Sequence, residues 1–224
     1  KSDIKLSVVM AVYNAEDYLE EAITSILNQS HKNFEFIIVN DGSNDQSLDI
    51  IKYWLSVDDR IILIDQENKG LTKSLNIAIG KAIGDYCVRQ DADDVSMPER
   101  FERFIDYVKR NKNVSIYSTP AITINSEGEA LRKIPNYFRR NGFRPSMLNY
   151  YNSLIHGSLI IKTSAIKQYK YDENFKFSQE FDLYHRLLRA GLNIHYDNSN
   201  ISYSLRIHDQ QISKAKADLQ SDCF

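Results

Sequence analysis

Only two cysteines occur in these 224 residues, Cys87 inside an apolar run and Cys223 beside the terminus. That is neither a disulfide framework nor the paired spacing of a zinc site, and it fits a reducing, cytoplasmic compartment. No stretch reaches the roughly 20 apolar residues of a membrane helix; the longest, Leu6 to Val12, is interrupted by Ser7. No basic segment leads into an apolar one after Lys1, so no secretory signal is expected in this sequence. Charge of one sign is not in excess either. Lys and Arg number 28 against 30 Asp and Glu, a formal net charge of -2, and no polybasic block is present to track a phosphate backbone. Nucleic acid is therefore not an expected partner. Neither Gly-x-Gly-x-x-Gly nor Gly-x-x-x-x-Gly-Lys-Ser/Thr occurs, which argues against a nicotinamide dinucleotide and against a P-loop, and leaves a metal ion as the neutraliser of any bound diphosphate. With 42% hydrophobic and 26% charged residues the composition is that of an ordinary globular chain. It holds no internal repeat, low-complexity tract or Pro/Gly/Ser linker.

The first half alternates short β-rich runs with helical periodicity. Leu6 to Val12 and Phe34 to Asn40 read as buried strands, and Ile61 to Ile64 and Asp85 to Arg89 as shorter ones. Between them Leu19, Ala22, Ile23, Ile26 and Leu27 mark one face of a helix that Asn14 is placed to cap. Leu48, Ile51 and Leu55 repeat the spacing, as do Leu71, Leu75, Ala78, Ile79 and Ala82, and then Phe101, Phe104, Ile105 and Val108. Such βαβαβαβα order predicts a mostly parallel, doubly covered sheet with its ligands beyond the carboxyl ends of the strands. After residue 112 the rhythm changes. Val114 to Ser118, Ala121 to Asn125, Leu154 to Lys162, Ile194 to Tyr196 and Ile201 to Ile207 read as strands and Gln179 to Ala190 as a helix, while Arg132 to Asn152 has no clear period. One continuous domain over 1–224 is expected, with 1–112 as a nucleotide-binding half and 113–224 as the half that completes the site.

Several residues at predicted strand ends can carry chemistry. Asp91, Asp93 and Asp94 follow the fourth strand. Three carboxylates in four residues repel one another unless a cation or solvent compensates, so a divalent ion shared with substrate phosphates is one reading and a solvated acidic turn the other. Asp41 closes the second strand in Asn40-Asp41-Gly42-Ser43, where it can accept hydrogen bonds from a nucleotide or simply form a turn. Tyr13, after the first strand, can stack on a base or pack. Glu180 and Asp182 lie in the first turn of the later helix, where acidic residues are favourable in any case. His208 follows an apolar strand and is a ligand or a packing residue.

The order and spacing of these features resemble the family 2 glycosyltransferases of the GT-A fold. The signals are Ser7 to Asn14; Asn40-Asp41-Gly42-Ser43; Asn68-Lys69-Gly70-Leu71 with Leu75-Asn76; Asp91-Ala92-Asp93-Asp94 with Pro98-Glu99-Arg100; His156-Gly157-Ser158; Tyr171 to Phe175; Gln179 to Leu183 with Arg186-Leu187; and Arg206-x-His208 with Ser213. The resemblance implies a Rossmann-like, mostly parallel central sheet flanked by helices, followed by a more variable C-terminal half. It implies that Asp41 binds the uracil of a UDP-sugar, that Ala11, Tyr13, Asn14, Asn68, Asp91 and Ala92 line the nucleotide site, and that Asp93 and His208 hold Mn or Mg. Glu180 would then be the catalytic base, with Asp182 its rival. Two departures stand out: Ala11 where many members have Pro, and Gln179-Glu180 where many have Glu-Asp. Members often carry further C-terminal elements for acceptor or membrane contact.

The implied reaction is an inverting, metal-dependent transfer of a hexosyl or N-acetylhexosaminyl group from a UDP-sugar to a hydroxyl of a glycan or lipid-linked acceptor, in surface polysaccharide synthesis. It would take place in the cytoplasm, with peripheral contact at the inner face of the membrane. A sugar hydroxyl needs a base near neutral pH, and a departing nucleoside diphosphate needs charge compensation. The alternatives are a nucleotidyltransferase acting on sugar phosphates, disfavoured because residues 11–15 contain no glycine, and a non-catalytic carbohydrate-binding module, disfavoured by the intact acidic residues.

Overall fold

The computed structural model describes residues 4–134, 154–175 and 178–209. The first half follows the predicted alternation: β1 (Leu6–Val12), α1 (Glu16–Leu27), β2 (Phe34–Asp41), α2 (Ser47–Val57), β3 (Ile61–Gln66), α3 (Leu71–Lys81), β4 (Tyr86–Arg89), a two-residue β5 (Val95–Ser96) and α4 (Arg100–Arg110). Then come β6 (Ile116–Ser118), β7 (Ala121–Ile124), β8 (Ala130–Ile134), β9 (Ile160–Lys162), α5 (Thr163–Tyr169), α6 (Gln179–Arg189), β10 (Ile194–Tyr196) and β11 (Tyr203–Arg206).

A seven-stranded sheet has the order β10-β6-β9-β4-β1-β2-β3. β4, β1, β2 and β3 are mutually parallel, β10 is parallel to β6, and β9 enters between β4 and β6 antiparallel to both. The mostly parallel sheet expected from the sequence is thus present. Strand periodicity sorts its side chains into two cores. Val8, Met10 and Val12 join Phe36 and Ile38 against Leu19, Ile23 and Ile26 of α1 and Phe101 and Phe104 of α4. Val9, Ile37 and Val39 face the other way, against Leu75 and Ile79 of α3, Ile166 of α5 and Leu183 and Leu187 of α6. Both faces are covered, which is why β1 and β2 are almost continuously apolar. A second sheet, β5-β11-β7-β8, pairs β11 with the turn region after β4.

Three expectations change, and two elements are added. Asn14 does not cap α1: it is left-handed (φ 48°) and Ala15 occupies the cap position, so the capping side chains come from another loop. Leu55, expected on a buried face, is 40% exposed, because α2 lies over β3 at the sheet edge. The run Leu154 to Lys162 is a strand only from Ile160, since His156 to Ser158 form a single 3-10 turn. Two short elements had no sequence signal: α5 has only seven residues, and β8 is exposed along most of its length, so neither carries a period. Residues 135–152 of the aperiodic stretch, together with Ser213 and Cys223, lie outside the described residues.

Candidate active site

The parallel register sets the level of each strand-end loop. Val12 pairs with Asn40 and Asp41 with Gln66, while Val9 pairs with Arg89. Continuing those ladders puts Tyr13 beside Asp41 and Ala11 beside Asp91, so the first four loops open at one carboxyl edge. Two of them are cross-tied. The Asn14 N–H donates to Ser43 Oγ (3.1 Å) and the Asn44 N–H to Asn14 Oδ1 (2.8 Å). Ser47 Oγ and Asp45 Oδ2 accept the Ala15 and Glu16 N–H groups (2.9 and 3.0 Å), while Glu16 Oε2 accepts the Gln46 N–H (2.8 Å). Each loop thereby satisfies amide groups at the start of the other's helix, and Asp45 Oδ1 also accepts the Ser47 N–H of its own helix (3.0 Å). Tyr13 is left 51% exposed on this braced rim.

Asp41 is 3% exposed. Its Oδ1 accepts the Gln66 side-chain amide and the Lys69 N–H (both 2.8 Å), and its Oδ2 accepts the Gly70 N–H (2.9 Å). Burial alone would raise its pKa. The donors, with help from the Ser74 hydroxyl, outweigh burial and hold the carboxyl below its ordinary value. Gly42 has φ +71°, and a Cβ there would lie 2.6 Å from the Asn68 backbone nitrogen. Only glycine lets the second and third loops close together and bring exposed Asn68 to the rim. Ala11 and Ala92 pack their methyl groups toward the two cores, so a ligand would meet their backbones.

The acidic turn is compensated from within. Arg89, buried at the end of β4, is ion-paired to Asp91. The Arg206 main-chain N–H donates to Asp94 Oδ1 (2.8 Å), and its guanidinium Nε donates to the Asp93 carbonyl (2.9 Å). Repulsion among the three carboxylates is therefore met in part by these groups, besides the cation or solvent that the spacing left open. Asp94 is 1% exposed; burial first, then Asp93 and Asp91, push its carboxyl well above the usual range. Asp93 differs. Its side chain is 29% exposed, and His208 Nε2 lies 3.0 Å from its Oδ2. Burial and then Asp91 raise its pKa against the opposing pull of His208. The two residues expected to hold a metal, 115 positions apart in sequence, are in contact.

Do they fit a cation? Among the described residues no group of three or more His, Cys, Asp or Glu is arranged to hold one. Asp93 and His208 supply one carboxylate and one imidazole, and His208 Nδ1 is buried with no hydrogen-bond partner. Magnesium and manganese sites of this type take one or two protein ligands and complete their shell with substrate phosphates and water. The donor pair fits such an ion and not a closed structural site.

Further polar residues support the turn. Arg100, 1% exposed, donates to Gln90 Oε1 (3.2 Å), Ser96 Oγ (2.8 Å) and the carbonyls of Arg89 and Gly157 (3.0 and 2.9 Å). Burial pulls its pKa down to about 10, which leaves it charged at neutral pH. The Asp91 N–H donates to the Tyr203 hydroxyl (3.2 Å), and a Cβ on Gly157 would meet that hydroxyl at 2.0 Å. Arg89, Arg100, Arg206 and Tyr203 were missed as site residues. The available clue was a charge ending an apolar strand, as in Cys87-Val88-Arg89.

Glu180 lies in the first turn of α6, which follows left-handed Ser178 (φ 55°). The helix is anchored by Leu183, Tyr184 and Leu187, all buried. The Tyr184 hydroxyl is pushed up first by burial and next by the charge of Glu180; Tyr171 is also pushed up by burial and by Glu180, against the pull of Arg89, and both feel Asp91. Glu180 and the acidic turn thus act on the same pair of buried hydroxyls. Tyr171 is held by Asn76 of α3, whose side chain accepts its N–H and donates to its carbonyl (both 2.9 Å). Its hydroxyl is hydrogen-bonded to His156 Nε2 (2.7 Å), a ring kept neutral because burial, aided by Arg89, lowers its pKa to about 3. Asp182 is committed elsewhere. It pairs with Arg186 (2.8 Å), which also donates to the carbonyls of Tyr169 and Lys170 at the end of α5.

The α/β sheet thus carries its strand-end loops and a carboxylate–imidazole pair at its carboxyl edge. Residues 7–185 match the family model for glycosyl transferase family 2, and the chain belongs to that family. It is 33% identical over 215 residues to the O-antigen biosynthesis glycosyltransferase WbnJ of Escherichia coli, covering 94% of this chain and 82% of that protein. An uncharacterized glycosyltransferase of Haemophilus influenzae is 29% identical over 219 residues, 93% of this chain and 67% of its own length. One from Methanocaldococcus jannaschii is 35% identical over 187 residues, 82% of this chain and 64% of its own. The chain thus spans about two thirds of the latter two. The fold matches that of S. aureus TarS in complex with UDP-GlcNAc, with a TM-score of 0.77 at 18% identity over 93% of this chain and 60% of that one. The mannosyltransferase PcManGT of Pyrobaculum calidifontis, in complex with GDP-Man and Mn2+, gives 0.71 at 15% identity over 96% and 60%. This chain is a glycosyltransferase of the GT-A fold.

Proposed function

We propose that the chain, acting as one unit across both halves, transfers a sugar from a UDP-sugar to a hydroxyl of a glycan or lipid-linked acceptor with inversion at the anomeric carbon. The observation that carries this reading is the contact of Asp93 with His208 on the edge that also holds Tyr13, Asp41 and Asn68. Tyr13 offers an exposed ring to a base, and Asp41, held ionised, is the acceptor for the uracil imide. Asp91 serves the ribose, and the backbones at Ala11, Asn14 and Ala92 close the cleft. Asp93 and His208 would hold a divalent cation, which when bound stabilises the charge on the departing diphosphate.

Glu180 takes the proton of the acceptor hydroxyl as its oxygen approaches the anomeric carbon from the side opposite UDP. General-base help of this kind is worth on the order of a hundredfold to ten-thousandfold. The pairing of Asp182 with Arg186 favours Glu180 over it for that role. The relative named for O-antigen biosynthesis favours a surface polysaccharide as product, made on the cytoplasmic side of the membrane. No helix among the described residues is long and apolar enough to cross a membrane.

Thermal stabilisation separates this reading from its rivals, because a ligand selective for the folded state raises apparent stability by mass action. UDP with Mn2+ should stabilise more than UDP alone, UMP, CDP or ATP. Preference for ATP or another nucleoside triphosphate would identify a nucleotidyltransferase, and response only to free sugars a binding module. A screen of UDP-sugars with NMR of the product then gives the donor and the linkage.

A further inference from the structure

Arg206 is a buried cation behind the acidic turn, and its guanidinium is closed off from solvent. It is 1% exposed. Nε donates to the Asp93 carbonyl (2.9 Å), Nη1 to the carbonyls of Asn125 and Ser126 (both 3.0 Å), and Nη2 to the Glu21 carboxylate. Its own main-chain N–H is held by Asp94 Oδ1. The Tyr18 ring lies 4.6 Å from the guanidinium carbon and 4.8 Å from the His208 ring, so one aromatic side chain touches both. Four segments meet here: α1, the acidic turn, the turn after β7 and the end of β11.

We propose that Arg206 is a positioning residue for the metal pair: it fixes Asp93 through that residue's carbonyl and fixes His208 through β11 and Tyr18, so that the two ligands converge before any cation arrives. This rests on the reading of Asp93 and His208 as cation ligands. The physical reason is reach. His208 stands two residues beyond Arg206, and two extended residues span about 6.6–7.2 Å; an unanchored strand end could place the imidazole anywhere in that radius. A planar fork can serve carbonyls and a carboxylate in several directions at once, which a lysine ammonium on a flexible stem cannot. Burying the guanidinium is tolerable only because its donors are met.

The test measures Mn2+ affinity in the presence of saturating UDP, by electron paramagnetic resonance, in the wild type, Arg206→Lys, His208→Ala and the double variant, with melting temperature and metal-free UDP affinity alongside. Arg206→Lys should weaken Mn2+ binding at least tenfold while metal-free UDP affinity stays within threefold. On the His208→Ala background the same change should lose most of its effect on Mn2+, whereas its effect on melting temperature should persist. A merely structural arginine would lower stability and leave Mn2+ affinity within twofold, or act with undiminished size in the absence of His208; either result overturns the proposal. If Arg206→Lys does not fold, Glu21→Gln replaces it. Glu21 is exposed and its carboxylate pairs with the guanidinium, so weakening of Mn2+ binding by twofold or more supports the proposal and an unchanged affinity refutes it. Failure of the underlying reading looks different: the wild type itself would bind no Mn2+ with UDP, or Asp93→Ala would bind it as well as the wild type.

Discussion

Asp41 and Asp94 close neighbouring regions of one sheet edge and are equally hidden, yet their carboxyl groups are driven in opposite directions. Asp41 meets only neutral donors, chiefly the backbone amides of Lys69 and Gly70 and the Gln66 side chain, and is held ionised. Asp94 shares its turn with Asp91 and Asp93, and burial with like charge raises it. Asp93 stands between the two cases, raised by burial and Asp91 but opposed by His208. Burial alone therefore decides nothing about a carboxylate; the count and sign of the groups aimed at it do. Under the proposed function that difference is a division of labour, with a preformed anion for a neutral base on one side and a turn to take a cation on the other.

The largest effect is expected outside both regions. Glu180→Gln should lower turnover at least a hundredfold and leave UDP affinity within about threefold, read by steady-state kinetics and calorimetry. A matching loss of UDP affinity would place Glu180 with the donor carboxylates. Next comes Asp41→Ala, which should weaken UDP binding by about 1.5–3 kcal/mol, the range for a hydrogen bond to a charged group, with or without Mn2+. Wild type that binds CDP as well as UDP would remove Asp41 from base recognition.

Asp93→Ala should cost about tenfold in UDP affinity when Mn2+ is present and little when it is absent. That metal dependence is what distinguishes the acidic turn from Asp41, and its absence would erase the contrast. Stability sharpens the same contrast through pH. The folded pKa of Asp41 is depressed, so its contribution is present above the ordinary value of 3.8 and is lost as pH falls through the lower folded value. The stability lead of the wild type over Asp41→Asn should hold from neutral pH down to about 4 and shrink below it, in urea unfolding across pH. The smallest effect is assigned to Asp182→Asn. Loss of its partly exposed pair with Arg186 should lower stability by up to about 1 kcal/mol and preserve most of the activity; collapse of turnover would move the base by two residues.

The α/β frame was legible because buried parallel strands and amphipathic helices announce themselves in a single chain. β1 was read to its exact ends, and α1 and α3 from the spacing of Leu19 to Leu27 and Leu71 to Ala82. What escaped had no periodicity to show. β8 is exposed, α5 has two turns, and the turn at His156 interrupts an apolar run because Gly157 must pass against Tyr203. At the site, the acidic residues and His208 were visible as residue types at strand ends, but their partners were not. Arg206 and Asp93 are 113 positions apart, and Asn76 and Tyr171 95.

Sequence by itself determined the alternation of strands and helices, the sheet edge proposed for a ligand and the short set of acids at the strand ends, because each is a local property of period, length or residue type. Tertiary structure alone decided which acid is ionised, which is locked and which is exposed beside an imidazole. Those properties depend on groups brought in from distant segments: backbone amides to Asp41, Arg89 to Asp91, Arg206 to the acidic turn, His208 to Asp93 and Arg186 to Asp182. Electrostatic interaction follows distance in space and the dielectric around it, and neither can be read from separation along the chain.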